Sequence, residues 1–120
     1  MPLRCLIVDD NALFLEAASE LLEREGVRVV GTASSIADAL GQARQLRPDI
    51  ILVDIVLDPE SGFDLARQLA ETESAGATVI LISTHAEADF ADLIDEAPAA
   101  GFVPKSQLSA RTIQQLLGAS

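Results

Sequence analysis

Apolar residues along this chain follow two alternating rhythms. Short stretches rich in consecutive apolar residues occupy residues 3–8, 27–32, 49–54, 77–82 and 100–103, separated by polar or turn-forming residues. Consecutive branched aliphatics without period-two alternation predict strands covered on both faces, the kind found inside a parallel sheet. Between the runs the apolar positions recur at three- and four-residue steps, which predicts helices. The first stripe is Phe14, Ala17, Ala18, Leu21 and Leu22, with Asp10 or Asn11 as cap and Gly26 as terminator. The second is Ile36, Leu40, Ala43 and Leu46, stopped before Pro48, and the third is Phe63, Ala66, Leu69 and Ala70. A fourth, Phe90, Leu93, Ile94 and Ala97, is closed by Pro98 and Gly101 and is expected to face the core. Leu108, Ile113, Leu116 and Leu117 mark the last.

Five strand–helix units in succession predict an α/β fold with helices on both faces of one parallel sheet. Right-handed crossovers leave few arrangements, and the flavodoxin-like (βα)5 doubly wound sheet with strand order 2-1-3-4-5 suits this length. That order sets the first and third strands side by side. The loop between the third strand and the third helix holds Asp58-Pro59-Glu60-Ser61-Gly62. No linker or low-complexity stretch interrupts the pattern, so residues 1–120 are expected to form one domain.

Charge narrows the partners. The net charge is −11, which argues against direct contact with nucleic acid or an anionic membrane, since both need a basic face. The one cysteine, Cys5, lies in the first apolar run and is expected to be a buried thiol in a reducing, cytoplasmic setting. No apolar run approaches the ~20 residues needed to cross a bilayer, and the opening Met1-Pro2-Leu3-Arg4 has no secretory-signal pattern.

The candidate chemistry sits where the strands end. Asp9 and Asp10 follow the first run, Asp54 ends the third, Ser83 and Thr84 follow the fourth, and Lys105 follows the fifth. In open α/β sheets ligands bind at that carboxyl edge. Singly each has a plainer reading, Asp10 as a helix cap and Lys105 as a surface lysine; together they define a site. Clustered carboxylates repel one another and call for a cation. Oxygen donors in small number suit Mg2+, whereas Zn2+ would want Cys or His, and His85 alone cannot supply that. Beside such an ion Asp54 can attack a phosphoryl donor and carry an aspartyl phosphate. Lys105 and Ser83, with Thr84 beside it, would neutralise the transferred oxygens.

The segments Leu6-Ile7-Val8-Asp9-Asp10-Asn11, Val53-Asp54-Ile55-Val56-Leu57 with Ser61-Gly62-Phe63-Asp64, Ile80-Leu81-Ile82-Ser83-Thr84 and Gly101-Phe102-Val103-Pro104-Lys105 resemble the receiver domain of two-component response regulators. The resemblance implies that Asp54 accepts phosphate from the phosphohistidine of a sensor histidine kinase. It implies Mg2+ held by Asp9, Asp10, Asp54 and the backbone carbonyl of Val56, and phosphoryl contacts from Ser83, Thr84 and Lys105. Phe102 matches the aromatic switch position, so the surface of the fourth helix, fifth strand and fifth helix would change shape. An output domain or partner protein would read that change, with a phosphorylation-dependent homodimer as one outcome. Thr84, His85 and Val56 fall at positions thought to tune phosphoryl lifetime, and Thr84 is larger than the alanine or glycine often found there. Proline usually follows the family lysine, whereas here Pro104 precedes Lys105. An aspartate-nucleophile phosphatase is a weaker match, because Val56 stands where its second acid would be. So is a flavin-binding flavodoxin, since the chain has four Phe, no Trp and no Tyr. A receiver-like module that binds partners without phosphorylation is the remaining alternative.

Overall fold

The computed structural model describes residues 3–57, 59–71, 77–84 and 90–118. In chain order the elements are β1 (Arg4–Val8), α1 (Ala12–Arg24), β2 (Arg28–Ala33), α2 (Ile36–Leu46), β3 (Ile50–Asp54), β4 (Val56–Leu57), β5 (Glu60–Ser61), α3 (Gly62–Glu71), β6 (Thr78–Ser83), α4 (Ala91–Glu96), β7 (Gly101–Pro104), a 3-10 turn (Lys105–Gln107) and α5 (Ala110–Leu117). The five long strands form one parallel sheet in the order β2-β1-β3-β6-β7. Counting those five strands alone, this is the predicted 2-1-3-4-5 order.

Each central strand feeds two cores at once, which is why successive residues in its middle are apolar. Leu6, Val8, Ile51, Val53 and Leu81 face one cluster with Ala39, Ala43, Phe63, Leu65 and Ala66 of α2 and α3. Cys5, Ile7, Ile50, Leu52, Ile80 and Ile82 face the other, with Ala18 and Leu22 of α1 and Ile113 of α5. Cys5 is fully buried there, and burial pushes its thiol up to about 12, so it is a packing group rather than a nucleophile.

Strand β2 lies at the edge and is only partly covered. Side chains occupy backbone groups that a stray strand would otherwise pair with. Glu23 Oε2 accepts from Val29 N at 3.0 Å, and Gln42 Nε2 donates to the Thr32 carbonyl at 2.7 Å. On the other face Glu25 Oε1 accepts from Ala110 N at 2.7 Å, tying the end of α1 to the start of α5.

Three expectations change. The segment after Asp54, predicted as loop, includes a short antiparallel pair, Val56 against Ser61 and Leu57 against Glu60. Its polar sequence hides this, because the pairing is backbone to backbone and only two residues long on each side. In α3 Leu65 joins Phe63, Ala66 and Leu69 in the core, while Ala70 is exposed. The fourth helical stripe is not all core: Phe90, Ile94 and Ala97 pack against the α2–α3 cluster, but Leu93 is 48% exposed. The helix spans only six residues, too few turns to lay a full stripe on the sheet, and Leu93 falls at the stripe's margin.

The β4–β5 hairpin is fastened through β5 to α2 and α3. Glu60 Oε1 accepts from Ile36 N at the start of α2 at 2.9 Å, and Ser61 Oγ accepts from Phe63 N at the start of α3 at 3.2 Å. Gly62 lies against the chain at Asp54: a Cβ added there would fall 2.0 Å from the Asp54 carbonyl oxygen. No side chain fits without moving the backbone that carries Asp54. Gly62→Ala is therefore expected to cost about 2–3 kcal/mol, the scale of overpacking a tight site, measured by urea unfolding. A loss within experimental error of zero would show that the close approach is not a constraint.

Candidate functional site

Strand register brings the site together. Val8 is paired with Val53, Asp54 with Ile82, and Ser83 with Pro104. Asp9 and Asp10 just after β1, Asp54 at the end of β3, Ser83 at the end of β6 and Lys105 just after β7 therefore share one carboxyl edge. Asp9, Asp54 and Ser83 are the buried polar residues among those described. Asp10 is exposed.

Local hydrogen bonds fix each acid. Asp9 N donates to the Ala33 carbonyl at 2.9 Å, and Asp9 Oδ1 accepts from Asn11 N at 2.8 Å. Asn11, not Asp10, is the helix cap, its Oδ1 accepting from Leu13 N at 3.0 Å and Phe14 N at 3.2 Å. Asp10 is thereby left for other work. Asp54 Oδ1 accepts from Val56 N at 3.0 Å.

Lys105 closes the site. Its Nζ donates to Asp54 Oδ2 at 3.0 Å and lies 2.5 Å from Asp9 Oδ2, with a side chain only 11% exposed. The same ammonium sits 4.2 Å from the centroid of the Phe14 ring. The contact with Asp9 is an ion pair of poor hydrogen-bond alignment, so Oδ2 is a buried oxygen without a hydrogen-bond donor. Burial holds the Asp9 carboxyl above the usual range; the Lys105 ammonium and the Asn11 N–H oppose that, and the charge of Asp54 adds to it. Burial also pulls the Lys105 amine down, but Asp9 and Asp54 outweigh it, and its pKa is raised. The lysine is therefore a fixed cation at neutral pH.

Oxygens from Asp9, Asp10 and Asp54 all lie within 4.8 Å of one another. The one ammonium there pairs with Asp9 and Asp54, Asp9 Oδ2 accepts no hydrogen bond, and three carboxylates against one ammonium can take a further cation. The donor set is all oxygen, contains no Cys or His, and is small, which fits Mg2+ with part of its water shell.

Among the remaining predicted residues, Ser83 is buried at the end of β6 and Thr84 beside it is exposed. Val56 follows Asp54 by two, with its side chain 40% exposed. Phe102 is half-buried in β7 and packs against the α2–α3 core. His85, like Asp58, lies outside the described residues. Two residues at the site were legible only as structural ones. Phe14 belongs to an amphipathic stripe, and nothing in that pattern says that its ring meets Lys105. Gly62 reads as a turn glycine, and its approach to Asp54 needs the folded hairpin.

A family model, the response regulator receiver domain, matches residues 5–117, and the chain belongs to that family. It is 32% identical over 106 residues to a protein-glutamate methylesterase/protein-glutamine glutaminase of Idiomarina loihiensis, covering 88% of this chain and 28% of that protein. To the response regulator GacA of Pseudomonas viridiflava it is 30% identical over 115 residues, 95% of this chain and 53% of the relative. The chain thus spans from about a quarter to about half of the length of these curated relatives. Among solved structures, a LuxR-family two-component response regulator from Aurantimonas sp. SI85-9A1 superposes with a TM-score of 0.85 at 29% identity, over 99% of this chain and 85% of that one. A response regulator receiver protein from Pseudomonas putida gives 0.80 at 26% identity, over 100% and 98%.

The sign of the Asp9 charge can be tested. A carboxyl whose folded pKa is raised stabilises the fold only while protonated, and that contribution is lost as pH rises through the folded pKa. In chelator at about pH 7, Asp9→Asn is expected to melt above the parent, the gap closing toward the ordinary carboxyl pKa of about 4. Mg2+ should raise the melting temperature of the parent and barely move that of the variant. A parent that melts higher than Asp9→Asn in chelator contradicts this account of Asp9.

Proposed function

We propose that Asp54 is a phosphoacceptor that takes a phosphoryl group from the phosphohistidine of a sensor histidine kinase. The observation that carries this reading is the Lys105 ammonium lying across Asp9 and Asp54 beside a three-carboxylate cluster at one sheet edge. An Asp54 oxygen attacks phosphorus, the P–N bond to imidazole breaks, and the imidazole nitrogen takes up a proton as it leaves. The new bond is an acyl phosphate on Asp54.

Asp9, Asp10, Asp54 and the Val56 carbonyl would hold Mg2+, which supplies charge neutralisation at the phosphoryl oxygens when bound. Lys105, the Ser83 hydroxyl and Thr84 would meet those oxygens as well. Lys105 must then give up its bond to Asp54 Oδ2 for one to the phosphoryl group. That exchange is the differential contact through which phosphorylation shifts the population of shapes.

The surface made by α4, β7 and α5 is the readout in this reading. Several features support it. Phe102 is half-buried in β7, one of that surface's own elements, α4 has no buried residue, and its first residue follows a cap without a side-chain hydrogen bond. Such an element is held weakly and can move. A downstream output domain or partner protein would meet it, or a second copy in a phosphorylation-dependent homodimer. The domain would lose its own phosphoryl group slowly and turn over no external substrate. Thr84 and Val56, both exposed at the mouth, would slow the attacking water, and His85 is a further candidate modulator.

Incubation with acetyl phosphate and Mg2+ is expected to raise the intact mass by one phosphoryl group. Chelator should abolish the gain, and Asp54→Asn should not show it; a gain retained by Asp54→Asn would place the acceptor elsewhere. Thr84→Ala is expected to shorten the half-life of the phosphorylated chain, read by the same mass measurement over time. An unchanged half-life removes Thr84 from the gate.

A further inference from the structure

We propose that Phe14 is a positioning residue for Lys105: its aromatic face, rather than its bulk, holds the ammonium where it can meet a phosphoryl group on Asp54. The proposal rests on the phosphoacceptor reading for its rate role, and on geometry alone for the contact. Three partners define the place of Nζ. They are Asp54 Oδ2 at 3.0 Å, Asp9 Oδ2 at 2.5 Å and the Phe14 ring centroid at 4.2 Å.

The ring packs at the margin of the α1–α5 core. It stands in the first turn of α1, where Asn11 Oδ1 accepts from Phe14 N, and Asn11 N in turn donates to Asp9 Oδ1. The same short segment therefore fixes one carboxylate and the backbone that carries the ring, and both groups meet the same cation. An ammonium near the start of a helix meets the unfavourable end of the helix dipole. The negative face of an aromatic ring opposes that, and does so more strongly where water is excluded, as at a side chain 11% exposed.

The ring also differs from the other two partners in what happens next. When Asp54 is phosphorylated its bond with Lys105 is exchanged for one to a phosphoryl oxygen, and Asp9 is drawn toward a cation of its own. Phe14 offers neither charge nor hydrogen bond to trade away. It can keep the ammonium at the mouth of the site through the transfer, whereas a long flexible lysine would otherwise sample solvent. Leucine at this position would fill similar space and supply no quadrupole.

The test is a mutant cycle on the full chain, with acetyl phosphate and Mg2+ as donor and metal. Phe14→Leu is expected to lower the phosphorylation rate at saturating donor about fivefold to tenfold, the range a desolvated cation–π contact of this kind converts to. The half-saturating donor concentration should change little. Phe14→Tyr, which keeps the ring face, should stay within about twofold of the parent. In a Lys105→Met background Phe14→Leu should have no further effect, because the ring then has nothing to hold. Equal rates for the parent and Phe14→Leu, a Phe14→Tyr as slow as Phe14→Leu, or a full Phe14→Leu loss on top of Lys105→Met would each overturn the proposal. A second measurement needs no phosphorylation. The Lys105 ε-methylene protons should be shifted upfield by the ring current in the NMR spectra of the parent and Phe14→Tyr, and return to ordinary values in Phe14→Leu. Ordinary values in the parent overturn the contact itself. A parent that shows the shift but takes up no phosphoryl group refutes the phosphoacceptor reading and the rate role, while leaving the contact established.

Discussion

Charge crowding at one sheet edge is the constraint around which the rest of the chain is arranged. Asp9 and Asp54 are both buried, and Asp10 lies close enough to share a cation with them. Taking carboxylates out of water is costly unless something compensates. Lys105 compensates in part, and its own pKa rises because two acids hold it. The compensation is incomplete, since Asp9 Oδ2 has no hydrogen-bond donor and Asp9 prefers its neutral form more than an ordinary carboxyl does. A site left short of positive charge favours a further cation, which would in turn offset the negative charge of a phosphoryl group.

Holding such a site requires stiffness in the backbone beneath it. The central strands provide it, because alternate residues of β1, β3 and β6 are locked into separate cores above and below the sheet. Shifting any of these strands would cost burial on both faces at once. The loops at the edge are fastened individually: Asn11 caps α1 and meets Asp9, Glu60 ties the β4–β5 hairpin to α2, and Gly62 lets that hairpin close against Asp54. The opposite character appears in α4, which is short, acidic and without a buried residue. Rigid acids and a weakly held helix on one sheet are what a domain needs to turn a local charge event into a change of surface.

The negative charge of the chain belongs to the same physics. Acidic side chains at the periphery take structural work where a backbone donor is otherwise unpaired, as Glu23, Glu25 and Glu60 do at Val29, Ala110 and Ile36. Those acids are spent on the fold. The acids at the carboxyl edge are the ones set against each other, and the difference lies in where the chain puts them rather than in their number.

Much of this was legible along the chain. The consecutive aliphatics pointed to a two-faced parallel sheet, because a strand covered on both sides is apolar in both directions, and right-handed crossovers with the chain's length favoured the 2-1-3-4-5 order. The placement of Asp9, Asp10, Asp54, Ser83 and Lys105 followed from reading each run to its end. Other features belong to the tertiary structure alone. Whether Asp10 or Asn11 caps α1 is decided by which side chain the turn aims at the free N–H groups. The exposure of Leu93 depends on how few turns α4 completes. The meeting of Phe14 with Lys105 joins residues 91 positions apart on different elements, and periodicity can report only that a ring faces inward. Sequence patterns encode which face of an element is dry; what a buried side chain touches is settled only when separate elements are packed together.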